Sequence, residues 1–441
     1  MLPQSLDGQR AALVGYGRAH RSLARRLLAE GAEVFACDRS EQARAQAQED
    51  GVVGAFGPGY LEALLAQRPA FAFLTPGIRK DLPAFASLAA DGTILSSETA
   101  FFFARRARPV LGITGSAGKT TTTTLVGRML ARQGIPAAVC GNIGRPLTDA
   151  LADEGAITLY VAEFSSFQLQ NLEHSPEIAG LLNIRPNHLD VHSSFEDYAQ
   201  SKWRIARFQD AQGSLVLPWE LQKEAAGMPG RVLTFSTSER ADARLRDGEL
   251  FLHGRRLLSA SELRLPGRHN VENALAAALL AEAAGADDTA IAEELRSFGG
   301  VAHRLEVVAE VAGVRCVNDS IATAPDRAMA AFDALEGPFV WLAGGYDKHL
   351  DYRELARRVR SVRLACLFGP VGETLLELLR QEAIPARHYN TFDDAVQAAL
   401  AAAEPGDTVL LSPAAASYDS FRSFEERGER FRELVLAALR G

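Results

Sequence analysis

Short runs of apolar residues alternate with longer amphipathic stretches along most of this chain. In its first part, apolar runs at 11–14, 33–37 and 71–74 predict strands, and the stretch after the first run predicts a helix that continues to Glu30. The second strand leads directly into Asp38, about twenty residues beyond a Gly-x-Gly turn. Strands that alternate with helices in this way are typical of a parallel α/β sheet.

The same alternation occurs in two further parts of the chain. More strands are predicted at 109–113, 156–162, 178–184, 314–317, 339–343, 364–368 and 408–411, with helices such as 121–132 between them. The joins near 96–98 and 299–300 divide the chain into predicted domains at 1–97, 98–300 and 301–441. The pattern thus predicts an α/β protein with Rossmann-like N-terminal and C-terminal domains and a mostly parallel sheet in the central domain. A Gly-Lys-Thr loop at 118–120 indicates that the central domain is of the P-loop ATPase type.

Composition excludes several classes of function. The 441 residues are 47% hydrophobic and 23% charged, as in soluble globular proteins, and no long apolar helix suggests a membrane segment. The net charge of −8 argues against a nucleic-acid partner, because proteins that bind phosphate backbones are usually basic. The four cysteines are scattered and form no C-x-x-C pair, which indicates reduced thiols in a cytoplasmic protein. We expect a monomer, because no stretch indicates an extended partner surface.

The most informative candidate chemistry lies at 112–120, Gly-Ile-Thr-Gly-Ser-Ala-Gly-Lys-Thr, between a predicted strand and a predicted helix. Glycines allow backbone N–H groups to face phosphate oxygens, and the start of the following helix favours negative charge. Lys119 would neutralise the β- and γ-phosphates, and Thr120 would offer its hydroxyl to Mg²⁺. The alternative is an ordinary strand–turn–helix corner, since Ile113 stands where a strict phosphate-loop pattern has glycine. We interpret the stretch as the nucleotide site of an enzyme.

Four other features are more ambiguous by themselves. Glu163 closes a predicted buried strand, where an acid is either a Mg²⁺ ligand or a plain strand-end carboxylate. His188 is as compatible with a structural role as with a catalytic one, and Lys202 by itself reads as a solvated surface lysine. The Gly-x-Gly turn that ends at Gly17, with Asp38 beyond it, is either a nucleotide site or a plain βαβ corner.

Taken together and in order, the motifs of this chain resemble those of the Mur ligases of peptidoglycan synthesis. The shared stretches lie at 112–120, 141–144, 163–168, 183–190, 267–273, 303–306, 318–323, 344–348 and 411–421. They include Glu-x-Ser-Ser-Phe-Gln, Gly-Arg-His-Asn-x-x-Asn, Asn-Asp-Ser-x-Ala-Thr and Gly-Gly-Tyr-Asp-Lys. The resemblance covers nearly the whole chain, and the last three stretches are similar to those of the members that add D-glutamate.

The resemblance implies a role for each matching residue. It implies that ATP is bound by Gly115, Ser116, Gly118, Lys119, Thr120, Thr121, Asn270, Asn273, Arg304 and Asp319. The UDP-linked substrate is expected at Gly17, Asp38, Arg39, Thr75, Gly77, Asn142, Ser165 and Gln168, and the amino acid at Thr323, Lys348, Ser417 and Phe424. Two Mg²⁺ ions are expected, one at Thr120 and Glu163 and one at Glu163, His188 and a carbamylated Lys202. Lys119, Glu163, His188 and Lys202 would serve catalysis. A carbamate fits a metal site because a free ammonium would repel the ions.

The activity that the resemblance implies is ATP-dependent addition of D-glutamate to UDP-N-acetylmuramoyl-L-alanine through an acyl phosphate. The alternatives are a Mur-type or folylpolyglutamate-type amide ligase with a different amino acid, and a nucleotide-binding partner subunit without catalysis. The chain departs from the family pattern at His20, Asn187, Ile321 and Ala324. Ile321 replaces a usual lysine, which removes a cation near the expected amino-acid site.

Overall fold

The computed structural model describes residues 2–186, 192–265, 267–335, 337–348 and 350–439. The chain forms two compact units, Met1–Phe298 and Gly299–Gly441. The first unit contains two sheets and the second contains one.

The first sheet has five parallel strands in the order β3-β2-β1-β4-β5. Its strands are β1 (Arg10–Val14), β2 (Glu33–Asp38), β3 (Val53–Phe56), β4 (Phe71–Leu74) and β5 (Ile94–Ser96). The helices that connect and follow them are α1 (Arg18–Ala29), α2 (Ala43–Glu49), α3 (Tyr60–Gln67), α4 (Pro83–Ala90) and α5 (Glu98–Arg105). The central strands are buried on both faces, which explains why they read as continuous apolar runs in the sequence.

The second sheet has nine strands in the order β14-β13-β12-β11-β10-β9-β6-β8-β7. They are β6 (Val110–Thr114), β7 (Ala137–Gly141), β8 (Leu159–Glu163), β9 (Ile178–Leu181), β10 (Ser214–Pro218), β11 (Arg231–Ser236), β12 (Ala243–Arg246), β13 (Glu249–Leu252) and β14 (Arg255–Ser259). The helices of this part are α6 (Lys119–Arg132), α7 (Leu147–Ala150), α8 (Ser166–Leu169), α9 (Phe195–Arg207), α10 (Arg268–Ala283) and α11 (Asp288–Ser297). The sheet is parallel from β7 to β12 and ends in the antiparallel pairs β12–β13 and β13–β14, which the sequence pattern did not predict.

One aromatic helix explains why both sheets lie in the same unit. On α5, the ring of Phe101 packs edge-on against Phe73 of the first sheet, and the ring of Phe102 packs against Tyr160 of the second. All four rings are fully buried and belong to one continuous core. Burial of aromatic area on both sides of a single helix joins the two sheets into one hydrophobic cluster.

The second unit has a six-stranded sheet in the order β15-β16-β20-β17-β18-β19. Its strands are β15 (Glu306–Val311), β16 (Val314–Asn318), β17 (Phe339–Gly344), β18 (Val362–Phe368), β19 (Ala386–Tyr389) and β20 (Thr408–Leu411). The helices are α12 (Pro325–Ala334), α13 (Arg353–Arg358), α14 (Gly369–Gln381), α15 (Phe392–Ala402) and α16 (Phe424–Ala438). All strands are parallel except β15, which pairs antiparallel with β16, so the expectation of a largely parallel sheet is confirmed.

The alanine-rich helix α10 lies in the core, as expected, with residues from Ala274 to Ala281 buried. Among the described residues, no helix is both long enough and apolar enough to cross a membrane.

Candidate active site

The loop at 115–118 connects β6 to α6, as the sequence predicts. Gly118 has a φ of +82°, and a Cβ there would lie 2.2 Å from Oδ1 of Asn273. A Cβ on Gly115 would lie 3.0 Å from both the carbonyl of Ala117 and Cβ of Leu182. The loop thus needs glycine for its backbone conformation and for the close approach of its neighbours. The loop leads directly into the N-terminus of α6, where the helix dipole favours negative charge.

A neighbouring strand end holds this loop in place. Asn183, just beyond β9, accepts a hydrogen bond from the backbone N–H of Ala117 at 2.9 Å and donates one to its carbonyl at 3.1 Å. The carbonyl of Asn183 also accepts from the N–H of Ser116 at 3.1 Å. The Ser116 hydroxyl donates to the carbonyl of Arg185 and lies 2.8 Å from the Tyr198 hydroxyl. Sequence reasoning assigned no role to Asn183 or Tyr198, although Asn183 opens one of the motifs.

Glu163 ends β8 and is only 1% exposed. One carboxylate oxygen accepts from the Thr120 hydroxyl at 2.8 Å, and the other accepts from the amide of Asn142 at 2.7 Å. Gly141 has a φ of +104°, and a Cβ there would lie 2.3 Å from the Glu163 carbonyl. The hydroxyl and the carboxylate are oxygen ligands of the kind that Mg²⁺ prefers, and they lie beside the phosphate loop. These two residues therefore fit a single Mg²⁺ ion that retains several waters.

Lys202 is buried rather than solvated, so its interpretation as a surface lysine is wrong. It lies on α9, is 2% exposed, and its ammonium donates to the carbonyl of Gly115 at 2.9 Å. The ammonium of Lys119 donates to the same oxygen, also at 2.9 Å. Burial and the charge of Lys119 lower the pKa of Lys202 to about 6, and Glu163 partly opposes that change.

His188 lies outside the described residues, and so does Asn187. No group of three or more His, Cys, Asp and Glu side chains within the described ranges is arranged to hold a metal ion. The prediction of a second Mg²⁺ at Glu163, His188 and Lys202 therefore stays a prediction.

Ser165 and Gln168 first serve the helix that they begin. The Ser165 hydroxyl accepts from the backbone N–H of Gln168 at 3.2 Å, and the Gln168 side chain accepts from the N–H of Ser165 at 3.0 Å, which is a capping box.

A buried histidine, His192, contacts the residue that follows Ser165. The Ser166 hydroxyl lies 3.0 Å from Nε2 of His192, whose Nδ1 lies 3.3 Å from the Asp197 carboxylate. His192 thus joins the start of α8 to the start of α9. The sequence contains no signal that distinguishes it from an ordinary core histidine.

On α10, Asn273 is nearly buried and faces the phosphate loop at Gly118, while its amide lies 3.4 Å from Oδ1 of Asn270. Both predicted ATP residues of this helix are therefore near each other. Thr121, the second residue of α6 after Lys119, follows the loop directly.

At the carboxyl edge of the first sheet, Asp38 ends β2 and accepts hydrogen bonds from two turns. Its carboxylate accepts from the N–H of Tyr16 at 2.6 Å and from that of Ser40 at 2.7 Å. Thr75 follows β4 and meets the Gly15 turn so closely that a Cβ on Gly15 would lie 2.4 Å from the Thr75 methyl group. The remaining predicted residues of this edge lie beside these: Gly17 follows β1, Arg39 follows β2, and Gly77 follows β4.

His20 fills the space below the Gly15 turn. Its Nδ1 donates to the carbonyl of Gly15 at 2.5 Å, and complete burial lowers its pKa to about 4. The imidazole is therefore neutral at physiological pH and adds no charge to this edge.

In the second unit, predicted residues gather where β16, β17 and β20 end. The Asp319 carboxylate accepts from the Ser412 hydroxyl at 2.9 Å, and burial raises its pKa to about 7, which the charges of Arg304 and Arg327 partly oppose. The Ser320 hydroxyl donates to the carbonyl of Phe424 at 2.8 Å.

A buried arginine that the sequence reasoning missed organises this region. Arg427 is 0% exposed and donates four hydrogen bonds, to the hydroxyl and carbonyl of Ser320 and to the carbonyls of Ala415 and Ala416. It thereby fixes the turn that leads to Thr323 and the loop that leads to Ser417. Partial burial and the charges of Arg327 and Arg427 lower the pKa of Lys348, which places these cations in one neighbourhood.

Comparisons with known proteins give a consistent picture. The family models described as Mur ligase middle domain and as Mur ligase, glutamate ligase domain match residues 113–281 and 303–415. The chain is 41% identical to the UDP-N-acetylmuramoylalanine--D-glutamate ligase of Symbiobacterium thermophilum over 97% of this chain and 98% of that protein. It is 36% identical to the protein of that name in Acetivibrio thermocellus, over 98% of this chain and 97% of that protein.

Solved structures agree at the level of the fold. The UDP-N-acetylmuramate-alanine ligase of Thermotoga maritima matches with a TM-score of 0.56 and 19% identity, covering 98% of this chain and 100% of that one. The MurF ligase of Thermotoga maritima, solved with ADP, matches with a TM-score of 0.53 and 17% identity, covering 99% and 96%.

Proposed function

This chain belongs to the Mur ligase family, and on that premise we propose that it adds D-glutamate to UDP-N-acetylmuramoyl-L-alanine in an ATP-dependent step of peptidoglycan precursor synthesis. The observation that carries the proposal is full-length identity of 35–41% to several ligases of that name. Lys119, Thr120 and Glu163 lie near the carboxyl ends of the neighbouring strands β6 and β8. This arrangement supports the proposal, because such a ligase needs a cation and oxygen ligands for Mg²⁺ beside the phosphates of ATP.

The reaction requires activation of a carboxylate, because a carboxylate is a poor electrophile. A carboxylate oxygen of the acceptor attacks the γ-phosphorus of ATP, ADP leaves, and an acyl phosphate forms. The amine of D-glutamate then attacks the acyl carbon through a tetrahedral intermediate. Inorganic phosphate leaves with the C–O electrons, the nitrogen loses a proton, and an amide bond remains.

The main electrostatic difficulty is the approach of an anionic carboxylate to an anionic phosphate. Lys119 and the N-terminus of α6 would hold the β- and γ-phosphates and reduce that repulsion. Thr120 and Glu163 would hold one Mg²⁺, which contributes further charge neutralisation when bound. Gly115, Ser116, Gly118, Thr121, Asn270 and Asn273 would complete the nucleotide site. Arg304 and Asp319 are also proposed as ATP-binding residues.

A second Mg²⁺ site would form at Glu163, His188 and Lys202 once Lys202 is carbamylated. A carbamate replaces a positive charge with a negative one and offers oxygen ligands. The neutral amine that the lowered pKa of Lys202 provides is the form that adds carbon dioxide.

The substrates would occupy separate edges of the sheets. Gly17, Asp38, Arg39, Thr75 and Gly77 would bind the UDP end of the acceptor, and Asn142, Ser165 and Gln168 its more distal part. Thr323, Lys348, Ser417 and Phe424 would bind D-glutamate. We infer domains at 1–97, 98–300 and 301–441 and a cytoplasmic monomer. The acyl phosphate would have to be shielded from water until the amine attacks.

Phosphate release tests this function directly. With ATP, Mg²⁺ and UDP-N-acetylmuramoyl-L-alanine present, D-glutamate should stimulate release, and Lys119→Ala should abolish it. Lys223→Ala removes an exposed lysine of the same unit and serves as the matched control. Stimulation by a different amino acid or acceptor, and none by D-glutamate, would refute the proposed specificity.

A further inference from the structure

The turn at 318–323 contains no cation of its own. Its sequence is Asn-Asp-Ser-Ile-Ala-Thr, and its single acid, Asp319, is buried. A dicarboxylic amino acid bound beside this turn brings two negative charges and one positive charge. Its carboxylates must therefore be neutralised by side chains from other elements.

Arg327 lies within reach of this turn. It belongs to the first turn of α12, its side chain is exposed, and one guanidinium nitrogen lies 3.4 Å from the carbonyl oxygen of Ile321, to which it donates. Its positive charge lowers the pKa of both Asp319 and Lys348, so the guanidinium is close enough to both residues to act on a bound anion there.

Arg327 also has hydrogen-bond donors that could bind a ligand. Within the described part of the chain it makes no ion pair with a carboxylate, and its long hydrogen bond to Ile321 uses one of five N–H donors. Arg427 differs in this respect, because it is fully buried and its donors are engaged with Ser320, Ala415 and Ala416. Of these two arginines, only Arg327 offers its charge to solvent at this edge.

We propose that Arg327 binds a carboxylate of the incoming amino acid and makes this subsite selective for dicarboxylic substrates. The inference rests on the proposed function, since it assumes that the amino acid binds in the second unit. Lys348 supplies a compact charge for one carboxylate, and the planar guanidinium of Arg327 suits paired hydrogen bonds to the other. Together they supply the two positive charges that the turn at 318–323 does not contain.

Steady-state kinetics of Arg327→Met test the assignment, because methionine keeps much of the side-chain length without the charge. We expect the KM for D-glutamate to rise about 10- to 100-fold, as for loss of a charged hydrogen bond, with the KM for ATP and for the UDP-linked substrate within about twofold of wild type. Arg327→Lys should raise the KM for D-glutamate less than Arg327→Met does, because lysine keeps the positive charge. Adding Ile321→Lys to Arg327→Met should recover part of the D-glutamate affinity by restoring a cation at the turn.

Arg380→Met is the matched control. Arg380 is an exposed residue in the last turn of α14, a helix of 13 residues that begins at the carboxyl end of β18, so it lies toward the opposite edge of the sheet. An unchanged KM for D-glutamate in Arg327→Met, or an equal rise in all three KM values, would overturn the inference. A wild-type enzyme without D-glutamate-dependent phosphate release would instead refute the proposed function itself.

Discussion

The side-chain nitrogen of Lys202 donates a hydrogen bond to the carbonyl oxygen of Gly115 at 2.9 Å, and this oxygen also accepts from Lys119. Two lysines thus share one acceptor at the head of the phosphate loop. Burial and the charge of Lys119 lower the pKa of Lys202 to about 6, so the amine is mostly neutral at pH 7 to 8. A neutral amine is the reactive partner for carbon dioxide, which connects this contact to the proposed carbamate.

Lys202→Ala should lose most of its phosphate-release activity and regain part of it when a short carboxylate such as acetate or propionate is added. The added carboxylate would fill the vacated space and supply the oxygen ligands of the missing carbamate. Phosphate release is measured with and without each additive, with Lys223→Ala as the control for loss of an exposed lysine. Full activity of Lys202→Ala without additives would rule out the carbamate.

Glu163→Gln should weaken the dependence of catalysis on Mg²⁺ while leaving the fold intact. Glutamine keeps the size of the side chain and one carbonyl oxygen for Thr120 but removes the negative charge beside the loop. We expect the Mg²⁺ concentration for half-maximal rate to rise at least about 10-fold, and the maximal rate to fall about 100-fold. Glu239→Gln, an exposed acid in the same unit, should leave the Mg²⁺ titration unchanged. Equal titration curves for Glu163→Gln and wild type would contradict the metal role.

Gly118→Ala should impair ATP binding more than it impairs folding. The φ of +82° costs an alanine about 1–2 kcal/mol, and its Cβ would also displace the Asn273 side chain. Gly134→Ala separates these effects, because Gly134 has a φ of +78° but no heavy atom lies within 4 Å of the position that its Cβ would take. Urea unfolding should show similar losses of stability in both variants. The KM for ATP should rise about 10-fold only in Gly118→Ala, and a similar rise in both would disprove the role of the contact.

Glu98→Gln should stabilise the first unit at alkaline pH and leave it unchanged at acidic pH. Glu98 is buried at the start of α5, where one carboxylate oxygen accepts from the N–H and hydroxyl of Thr148 on α7 at 2.9 and 3.2 Å. Burial raises its pKa from 4.5 to about 7, so the folded chain binds more protons than the unfolded chain between these values. Wild-type stability therefore falls as the pH rises through this window.

Glutamine keeps the acceptor for Thr148 and does not titrate. The free energies of unfolding of Glu98→Gln and wild type should agree near pH 4.5 and differ by about 3 kcal/mol above pH 7, with the variant the more stable. Urea denaturation at both pH values measures this difference, and Glu220→Gln, an exposed acid, should show none. A difference that does not depend on pH would show that titration of Glu98 is not its cause.

Local sequence patterns were sufficient to predict a strand and the turn after it where both depend on residues that are close in the chain. The phosphate loop, the buried β8 that ends at Glu163, and strands β1, β4, β6, β9, β17 and β20 follow from apolar runs and glycine positions, whereas β10 and β11 were not predicted. The antiparallel end of the second sheet was missed because β12 to β14 are short and carry several charged residues. Their pairing is decided by contacts with neighbouring strands rather than by an apolar run.

The sequence by itself determined the alternation of strands and helices over much of the chain, the phosphate loop and the family to which the chain belongs. Only the tertiary structure decided which polar residues are buried and with what partners. Lys202 reads as a surface residue until α9 packs it against Gly115, and Arg427 reads as one of many arginines until it joins the turns around Ser320 and Ala415. Burial and pKa depend on neighbours that are distant in the chain, and a local pattern of residues does not contain that information.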